Sequence, residues 1–370
     1  MSRLPWRAEQ PRSSPTVSVI LFCRNAAATL RRCLESLAQQ TWHDFEFVVQ
    51  DASSTDGTLE LLREYEDRLD IRLVSEPDGG PADGFWRALR RCRGEILATC
   101  LADEELMPDA LEYAVRAFGE RPYLGAITGD AYITDATGAI QSTHKSAPFS
   151  FARYLAAEYC PYWSSSFFSM RALRTVGVLD SRWSADSLEF EIWCRLAEDY
   201  EIAYVPRILS KYGIHEGQLS NQGARALTEL RSRLEIIRHR VFRPGGVFGD
   251  DRVWRDRCIL LQQLNLLNHL LAYKVPEAAD LAREVGESGA FRDFVANARR
   301  RSSKGLRKLS AHEEAVRQIH GGAGATLWKH QILALCWRML PTSVRARITP
   351  TQKARFRRLL RLPRSAGPSI

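Results

Sequence analysis

Acidic side chains follow three apolar segments of this 370-residue chain. Asp51 comes directly after one apolar run, Asp83 closes a turn-rich loop after the next, and Asp103, Glu104 and Glu105 are consecutive behind a third. A carboxylate at the end of a buried strand can accept hydrogen bonds from a nucleotide. Clustered carboxylates also suit a hard divalent cation, whose shell substrate phosphates and water complete. These positions are therefore candidates for a nucleotide and metal site.

Each cluster also has a purely structural explanation. Asp83 could cap the helix that follows it, and Ser54, Thr55 or Asp56 could cap the helix that follows the earlier polar loop. The acids before Pro108 suit the first turn of a helix, where negative charge favours the helix dipole and proline is tolerated. The residues alone leave both explanations open.

Strands and helices must alternate to position these residues. Five apolar runs, each long enough for a buried strand, are separated by stretches whose apolar residues recur at intervals of three and four. This order predicts an α/β domain with a mostly parallel sheet, whose ligands bind outside the carboxyl ends of the strands. The runs lie at 17–22, 45–50, 71–76, 95–101 and 124–128.

The alternation loosens after Thr134. Helices are predicted at 149–158 and 187–200, and two short strands at 201–206 and 208–215. Beyond residue 220 the pattern predicts helices and no convincing strand. The predicted helices lie at 222–242, 254–272, 275–301 and 311–320.

Charge divides the chain as well. Residues 1–220 carry 23 Lys and Arg against 32 Asp and Glu, a net charge of −9, whereas residues 221–370 carry 29 against 12, a net charge of +17. Such asymmetry favours a domain boundary near residue 220 and a basic part that faces an anionic surface. We expect a disordered segment at 1–15, a catalytic domain at 16–220 and a basic helical region at 221–370.

Several classes of protein are disfavoured. The polar N-terminal stretch lacks the apolar core of a secretory signal, and no run approaches the ~18 apolar residues of a membrane span. These features predict a cytoplasmic protein. Eight cysteines without a CxxC pair suggest buried, reduced thiols. An NAD-dependent Rossmann enzyme fits the strand order, but no GxGxxG follows the first strand. The basic charge alone would allow a nucleic-acid partner, but the sequence contains no recognised nucleic-acid-binding module, so we expect none.

The segments VVQDASSTDGT, SEPDGGPADGFWRAL and GEILATCLADEELMPDAL, in this order, resemble the donor-binding half of the family 2 inverting glycosyltransferases of the GT-A fold. The resemblance continues through PYWSSSFFSMRAL, SLEFEIWCRLA and YGIHEGQLS and covers about residues 16–220. It implies a GT-A catalytic domain, with a Rossmann-like sheet, that uses a sugar nucleotide and Mg²⁺ or Mn²⁺.

The resemblance also implies roles for individual residues. Asp51 would hold the base and ribose, and Asp83 the nucleotide sugar. The first loop would contribute Phe22 and Asn25 to the same nucleotide-sugar site. Phe22 and the two residues after it depart from the more usual Pro-Thr-Tyr, which would alter nucleotide preference.

The metal motif DxD of the family falls on Leu101, Ala102 and Asp103. Leucine replaces its first acid, so Asp103 is the expected metal ligand, with Glu104 adjacent. His215 matches a family histidine that can complete the diphosphate or metal site. Ala102 and Asp103 would also border the nucleotide sugar.

Glu189 is the expected catalytic base, because it takes the place of an acid pair at the start of a family helix. Glu191 is its rival; two residues apart on a helix, the two acids point in different directions, so only one should face the site. Trp163, Ser166 and Phe167 are expected to border an acceptor pocket, with core packing as the alternative.

The implied function is transfer of a sugar from a UDP-, GDP- or dTDP-sugar to an acceptor hydroxyl with inversion, in the biosynthesis of a polysaccharide, lipid-linked glycan or glycoconjugate. The alternative is a non-catalytic binding or scaffold protein of the same fold with a degenerate metal motif. Residues 325–370 are apolar and basic enough for peripheral contact with the inner face of a membrane; packing within the protein or a homo-oligomer are the alternatives.

Overall fold

A computed structural model describes residues 15–178, 187–215, 223–272 and 278–291. The strands in these ranges are β1 (Val17–Cys23), β2 (Phe45–Asp51), β3 (Ile71–Ser75), β4 (Ile96–Thr99), β5 (Glu104–Leu106), β6 (Leu124–Thr134), β7 (Ile140–His144), β8 (Ser166–Ser169) and β9 (Glu201–Gly213). The helices are α1 (Ala27–Ala38), α2 (Thr58–Arg63), α3 (Pro81–Arg91), α4 (Ala110–Glu120), α5 (Phe151–Leu155), α6 (Met170–Thr175), α7 (Leu188–Asp199), α8 (Gly223–Ile236), α9 (Arg252–Ala272) and α10 (Ala278–Glu287). A 3₁₀ turn forms at Trp163–Ser165 and a π-helical turn at Ile237–Val241.

The first four strands form a parallel sheet in the order β3-β2-β1-β4. Val19 on the central strand pairs with Phe47 on one side and Ala98 on the other, and all three are fully buried. Such continuous apolar strands suit a sheet that helices cover on both faces. The α/β fold class is thus confirmed, and Asp51 lies at the carboxyl end of β2 as expected.

The rest of the sheet is mixed rather than mostly parallel. β8 pairs antiparallel with both β4 and β6, β9 runs parallel to β6, and β5 and β7 pair antiparallel with β9 and β6. The full order is β3-β2-β1-β4-β8-β6-β9-β5, with β7 beside β6. The carboxyl end of β9 is thereby brought to β5, directly after the DxD-like segment.

Two details of the strands differ from the prediction. β5, whose sequence is Glu-Glu-Leu, has no apolar run to mark it. The two short strands expected on either side of Arg207 are one strand, β9. Its pairing with β6 shifts register between Tyr204 and Ile208, which accommodates Pro206, a residue without an N–H for the ladder.

The compact first unit extends to Arg255, beyond the expected boundary at residue 220. Leu230 and Leu234 of α8 are buried, and Arg240 and Arg243 after it form ion pairs with Glu198 of α7 at 3.0 and 2.9 Å. The beginning of the basic region therefore packs on the α/β domain through apolar contacts and charge pairs.

The second unit begins at Asp256, and its described residues are helical. Leu264 and Leu267 of α9 are buried, as is Leu281 of α10, and Gln263 Nε2 donates to Glu284 Oε1 at 2.9 Å. Within the described ranges no helix is long and apolar enough to cross a membrane. The predicted helix at 311–320 and the proposed membrane segment 325–370 lie outside them, as does the N-terminal segment apart from Pro15.

Candidate functional site

The loops after β1 and β2 are tied together by polar side chains. The backbone N–H of Asn25 donates to Ser54 Oγ at 2.7 Å, and Asn25 Oδ1 accepts from the Thr55 N–H at 2.9 Å. Asn25 has a φ of 52°, a left-handed conformation that asparagine tolerates better than most residues. Asp56 Oδ2 accepts from the first N–H of α1, that of Ala27, at 3.0 Å. Asp56 thus serves the neighbouring helix as well as the one that follows it.

Asp51 is fully buried, and its two carboxylate oxygens organise the same loops. Oδ2 accepts from the Ser54 N–H at 2.9 Å and from Ser75 Oγ at 2.6 Å, while Oδ1 accepts from Ser54 Oγ. Cys23 Sγ also donates to Oδ1 at 3.9 Å, so the roughly four acceptor positions of this carboxylate are all in use. A nucleotide reaching Asp51 would have to compete with these serine contacts.

Phe22 and Asp83 lie where the loops after β1 and β3 meet. The Phe22 ring packs edge-on against Phe85 of α3, with 6.0 Å between centroids. Asp83 lies inside the first turn of α3 rather than before it, accepts from the Gly79 N–H at 2.9 Å and pairs with Arg87 at 2.8 Å. The Gly79 bond and then Arg87 lower the pKa of Asp83, so its exposed carboxylate is charged.

Asp103 and His215 lie side by side although 112 positions separate them in the chain. His215 Nε2 is 3.3 Å from Asp103 Oδ2. The contact depends on a close approach of backbones: the Gly213 N–H donates to the Asp103 carbonyl at 2.9 Å, and a Cβ on Gly213 would lie only 2.7 Å from that oxygen. Both side chains keep some solvent contact. Ala102 is half-buried against the core beside them.

Glu104 points into the protein. Its side chain is buried, and Oε2 accepts from the Leu101 N–H at 2.8 Å. Burial raises the pKa of Glu104 well above its ordinary value, and the nearby charges of Asp103 and Glu189 raise it further. Because the charges of Asp103 and Glu189 both act on Glu104, these two carboxylates lie in the same region of the fold.

These residues fit a divalent cation through Asp103 and His215 together with ligands from the substrate. A carboxylate and an imidazole are ordinary partners for Mn²⁺, and Mg²⁺ commonly uses one or two carboxylates with phosphate oxygens and water. Glu104 fits less well, because its carboxyl is buried and its neutral form is favoured. In the described ranges no group of three acidic, histidine or cysteine side chains could hold an ion by itself.

Glu189 lies in the first turn of α7 and remains solvent-exposed. Desolvation by the surrounding protein and then the charge of Glu229 raise its pKa to about 7, against an opposing effect of Arg233. A pKa near 7 suits a group that must take up a proton at neutral pH.

Glu191 has a different environment. It is buried, and its Oε1 accepts from Arg195 Nε at 2.9 Å and from Arg195 Nη2 at 2.7 Å. Arg195 also donates to the carbonyls of Val176 and Gly177 at 2.8 and 3.1 Å. The structure therefore gives Glu191 a place in a buried ion pair that holds α7 to the end of α6.

We expect Glu191→Gln to lower stability rather than chemistry. The substitution leaves the buried Arg195 guanidinium without its carboxylate, which should cost about 3 kcal/mol of unfolding free energy. Chemical denaturation should show this loss, while the transfer rate per folded molecule stays near that of the wild type. A variant of unchanged stability would contradict the role of this pair.

The three residues expected at an acceptor pocket are mostly core residues. Phe167 is fully buried on β8, and Ser166 is 1% exposed and donates to the Tyr162 carbonyl at 2.6 Å. Trp163 is 7% exposed and packs against Phe168 with 4.8 Å between ring centroids. Core packing accounts for Ser166 and Phe167, because neither can touch an acceptor from within the sheet.

Sequence reasoning missed one pair beside Glu189. Glu229 and Arg233 form an ion pair one turn apart on α8, and the Arg233 guanidinium lies over the Phe190 ring, 5.5 Å from its centroid. Their i, i+4 spacing marks an ion pair on a helix but does not reveal which neighbour it faces.

Comparison with known proteins agrees with this fold. The family model "Glycosyl transferase family 2" matches residues 18–175. Chondroitin synthase from Escherichia coli is 26% identical over 204 residues, which are 54% of this chain and 29% of that protein. A PGL/p-HBAD biosynthesis glycosyltransferase from Mycobacterium bovis is 34% identical over 121 residues, which are 32% of this chain and 47% of that protein.

The solved structure of S. aureus TarS 1-349 aligns with 72% of this chain and 83% of its own, at a TM-score of 0.50 and 16% identity, which shows likeness of fold. The chain spans less than half the length of the curated relatives named above. The parallel strands with their polar loops coincide with the matched residues. Residues 18–175 thus match the glycosyl transferase family 2, and the sheet that they help to build has a GT-A fold.

Proposed function

We propose that this protein is an inverting, metal-dependent glycosyltransferase that transfers a sugar from a nucleotide sugar to an acceptor hydroxyl. The observation that carries the proposal is the pairing of Asp103 with His215 beside the edge strand β5. Glu189 of α7, a carboxylate with a pKa of about 7, acts electrostatically on the same strand through Glu104. The similarity of chondroitin synthase and other glycan-building proteins supports a polysaccharide, lipid-linked glycan or glycoconjugate as the product class.

The nucleotide sugar would lie across the loops that follow β1, β2 and β3. Asn25 and Asp51 shape the first two loops, and the charged Asp83 faces the third. Phe22 offers an aromatic edge beside them. Phe22 and the two residues after it stand where the resemblance leads us to expect Pro-Thr-Tyr. The diphosphate would then lie towards Ala102 and Asp103, at the end of β4.

Asp103 and His215 would hold Mg²⁺ or Mn²⁺ together with the diphosphate oxygens. A divalent ion in this place neutralises the charge that develops on a departing diphosphate. Glu104, bonded to the Leu101 N–H, positions the backbone of the Asp103 segment rather than acting as a ligand.

Glu189 would act as the general base. It accepts the proton of the acceptor hydroxyl as the oxygen forms a bond to the anomeric carbon and the bond to the nucleoside diphosphate breaks on the opposite face. The configuration at that carbon inverts. Glu191 cannot substitute for Glu189, because Arg195 holds its carboxylate in the interior.

The pH dependence of transfer should report this base. Below its pKa of about 7 Glu189 is protonated and cannot accept the proton, so kcat/KM should fall about tenfold per pH unit there and level off above. Initial rates over a pH series at saturating metal measure the profile. An acidic limb near 4.5, the ordinary value for a glutamate, would mean that Glu189 is not the base.

The alternative of a non-catalytic binding protein is favoured by Leu101, which replaces the first acid of the metal motif, and by the inward orientation of Glu104. Calorimetry with UDP-, GDP- and dTDP-sugars, with and without Mn²⁺, separates the two functions. Metal-dependent binding followed by slow hydrolysis of the donor supports the enzyme. Binding without any turnover of donor, alone or with glycan acceptors, supports the binding protein.

The proposal also assigns an anionic membrane as the partner of the basic C-terminal region. Residues 315–370 contain eleven Lys and Arg and no Asp or Glu, which suits an anionic membrane that presents a lipid-linked acceptor. Salt-sensitive association with anionic vesicles, lost on removal of residues 325–370, is the expected result. Association that the truncation leaves unchanged would instead favour a packing or oligomeric role for this segment.

A further inference from the structure

We propose that the Glu229–Arg233 ion pair of α8 is a positioning pair that sets the protonation of Glu189, so that this helix is part of the catalytic machinery. The inference rests on the proposed role of Glu189 as the base. It assigns a function to the first helix of the basic region, beyond the residues that the family model matches.

The geometry links the pair to α7 through Phe190, the residue next to Glu189. The Arg233 guanidinium lies over the Phe190 ring, 5.5 Å from its centroid. Tyr154 of α5 stacks on the same ring, with 5.2 Å between the ring centroids and an interplanar angle of 27°. Phe190 itself is buried. The guanidinium is therefore held by cation–π contact and by Glu229 at a fixed place beside the first turn of α7.

Arg233 is anchored strongly. Although burial opposes its charged form, the charge of Glu229 raises the pKa of Arg233 above its ordinary value. Its Nε is buried and makes no hydrogen bond. A guanidinium that keeps its charge here acts on neighbouring charges at short range, although solvent screens part of the effect because the pair is partly exposed.

Glu229 and Arg233 are the described groups that carry charge towards Glu189. The other titratable groups that interact with it are Glu104 of β5, Tyr154 of α5 and Cys160. Burial raises the pKa of each of these three, so each favours its neutral form at pH 7. Glu229 opposes ionisation of Glu189 and Arg233 favours it.

The pair therefore predicts opposite effects for its two members. Glu229→Gln removes a negative charge, which should lower the pKa of Glu189 and move the acidic limb of kcat/KM to lower pH. Arg233→Met removes a positive charge and should move the limb to higher pH. We expect each displacement to be about one pH unit. A merely structural ion pair would give the same effect from either side, since both substitutions break it.

Two matched variants control for folding and for helix charge. Arg233→Lys keeps the cation, so its limb should stay near that of the wild type even if stability falls. Glu235→Gln removes another carboxylate of α8, one that pairs with Arg238 at 2.8 Å on the exposed side, and should leave the limb unchanged. Limbs of Glu229→Gln and Arg233→Met that move in the same direction overturn the proposal, and so do limbs that stay in place while the pKa of Glu189 itself is also unchanged.

A second measurement separates this inference from the assignment of the base. The carboxyl-carbon NMR signal of Glu189, identified by its loss in Glu189→Gln, reports its pKa without any turnover. If that pKa moves in opposite directions in the two α8 variants while the rate profile does not follow, the pair acts on Glu189 but Glu189 is not the base. If the signal does not move, the inference about α8 fails whatever the base is.

Discussion

Glu189→Gln is expected to reduce glycosyl transfer by about 10²- to 10⁴-fold, the usual contribution of a positioned general base. Glutamine has nearly the shape of glutamate but cannot accept the hydroxyl proton. Donor affinity should change little, because Glu189 lies in the first turn of α7 and not in the loops after β1 to β3. Single-turnover transfer with a saturating acceptor measures the loss, and calorimetry measures donor binding.

Glu191→Gln is the matched comparison for this experiment. It makes the same chemical change two residues away, at a carboxylate that pairs with Arg195 in the interior. Transfer per folded molecule should survive there, and the acidic limb of the rate profile should remain. Wild-type transfer in Glu189→Gln, or a larger catalytic loss in Glu191→Gln at equal folding, would exchange the two assignments.

Asp103→Asn should abolish the metal dependence of donor binding. The carboxylate beside His215 is the charged group that we assign to the cation, and an amide carbonyl is a much weaker partner for a divalent ion. We expect donor affinity in Mn²⁺ to fall by about 10²-fold or more, and transfer to fall with it. Calorimetric titration with a nucleotide sugar, with and without Mn²⁺, measures the change.

Glu105→Gln is the control for Asp103. Glu105 lies two residues further on, in β5, and pairs with Lys211 at 2.8 Å. Its replacement should leave metal-dependent binding unchanged, so a general loss of negative charge in this segment is not the cause of the effect. His215→Ala should weaken the metal dependence without removing it. Metal-stimulated binding that persists in Asp103→Asn would place the cation elsewhere.

Local patterns were sufficient to predict the parallel half of the fold. Apolar runs buried on both faces fixed β1 and β2 almost to the residue, and the period of α7 was visible in its sequence. β5 was not predicted, because it is a strand only through its pairing with β9, more than ninety residues later. The sequence of these three residues does not indicate that distant partner.

Candidate residues for the site could be named from their types and their order in the chain. The resemblance predicts Asp103 and His215 at one site, and their side chains lie 3.3 Å apart, while their role stays a prediction. Helix geometry predicts that Glu189 and Glu191 point in different directions, but the pairing of the inward-facing Glu191 with Arg195 depends on tertiary packing. Burial of Ser166 and Phe167 was likewise a tertiary property, since β8 enters the middle of the sheet.

The antiparallel strand β8 has a consequence for how such a protein can change over time. It separates the parallel strands β1 to β4, whose loops would hold the donor in the proposed function, from β6 and β9, which lead to His215. Substitutions or insertions between β6 and α8 can therefore alter that part of the protein without disturbing the parallel pairings of β1 to β4. Glu189, His215 and the α8 pair all follow residue 175, where the family match ends. Under the proposed function, new acceptors could in this way evolve on an inherited donor site.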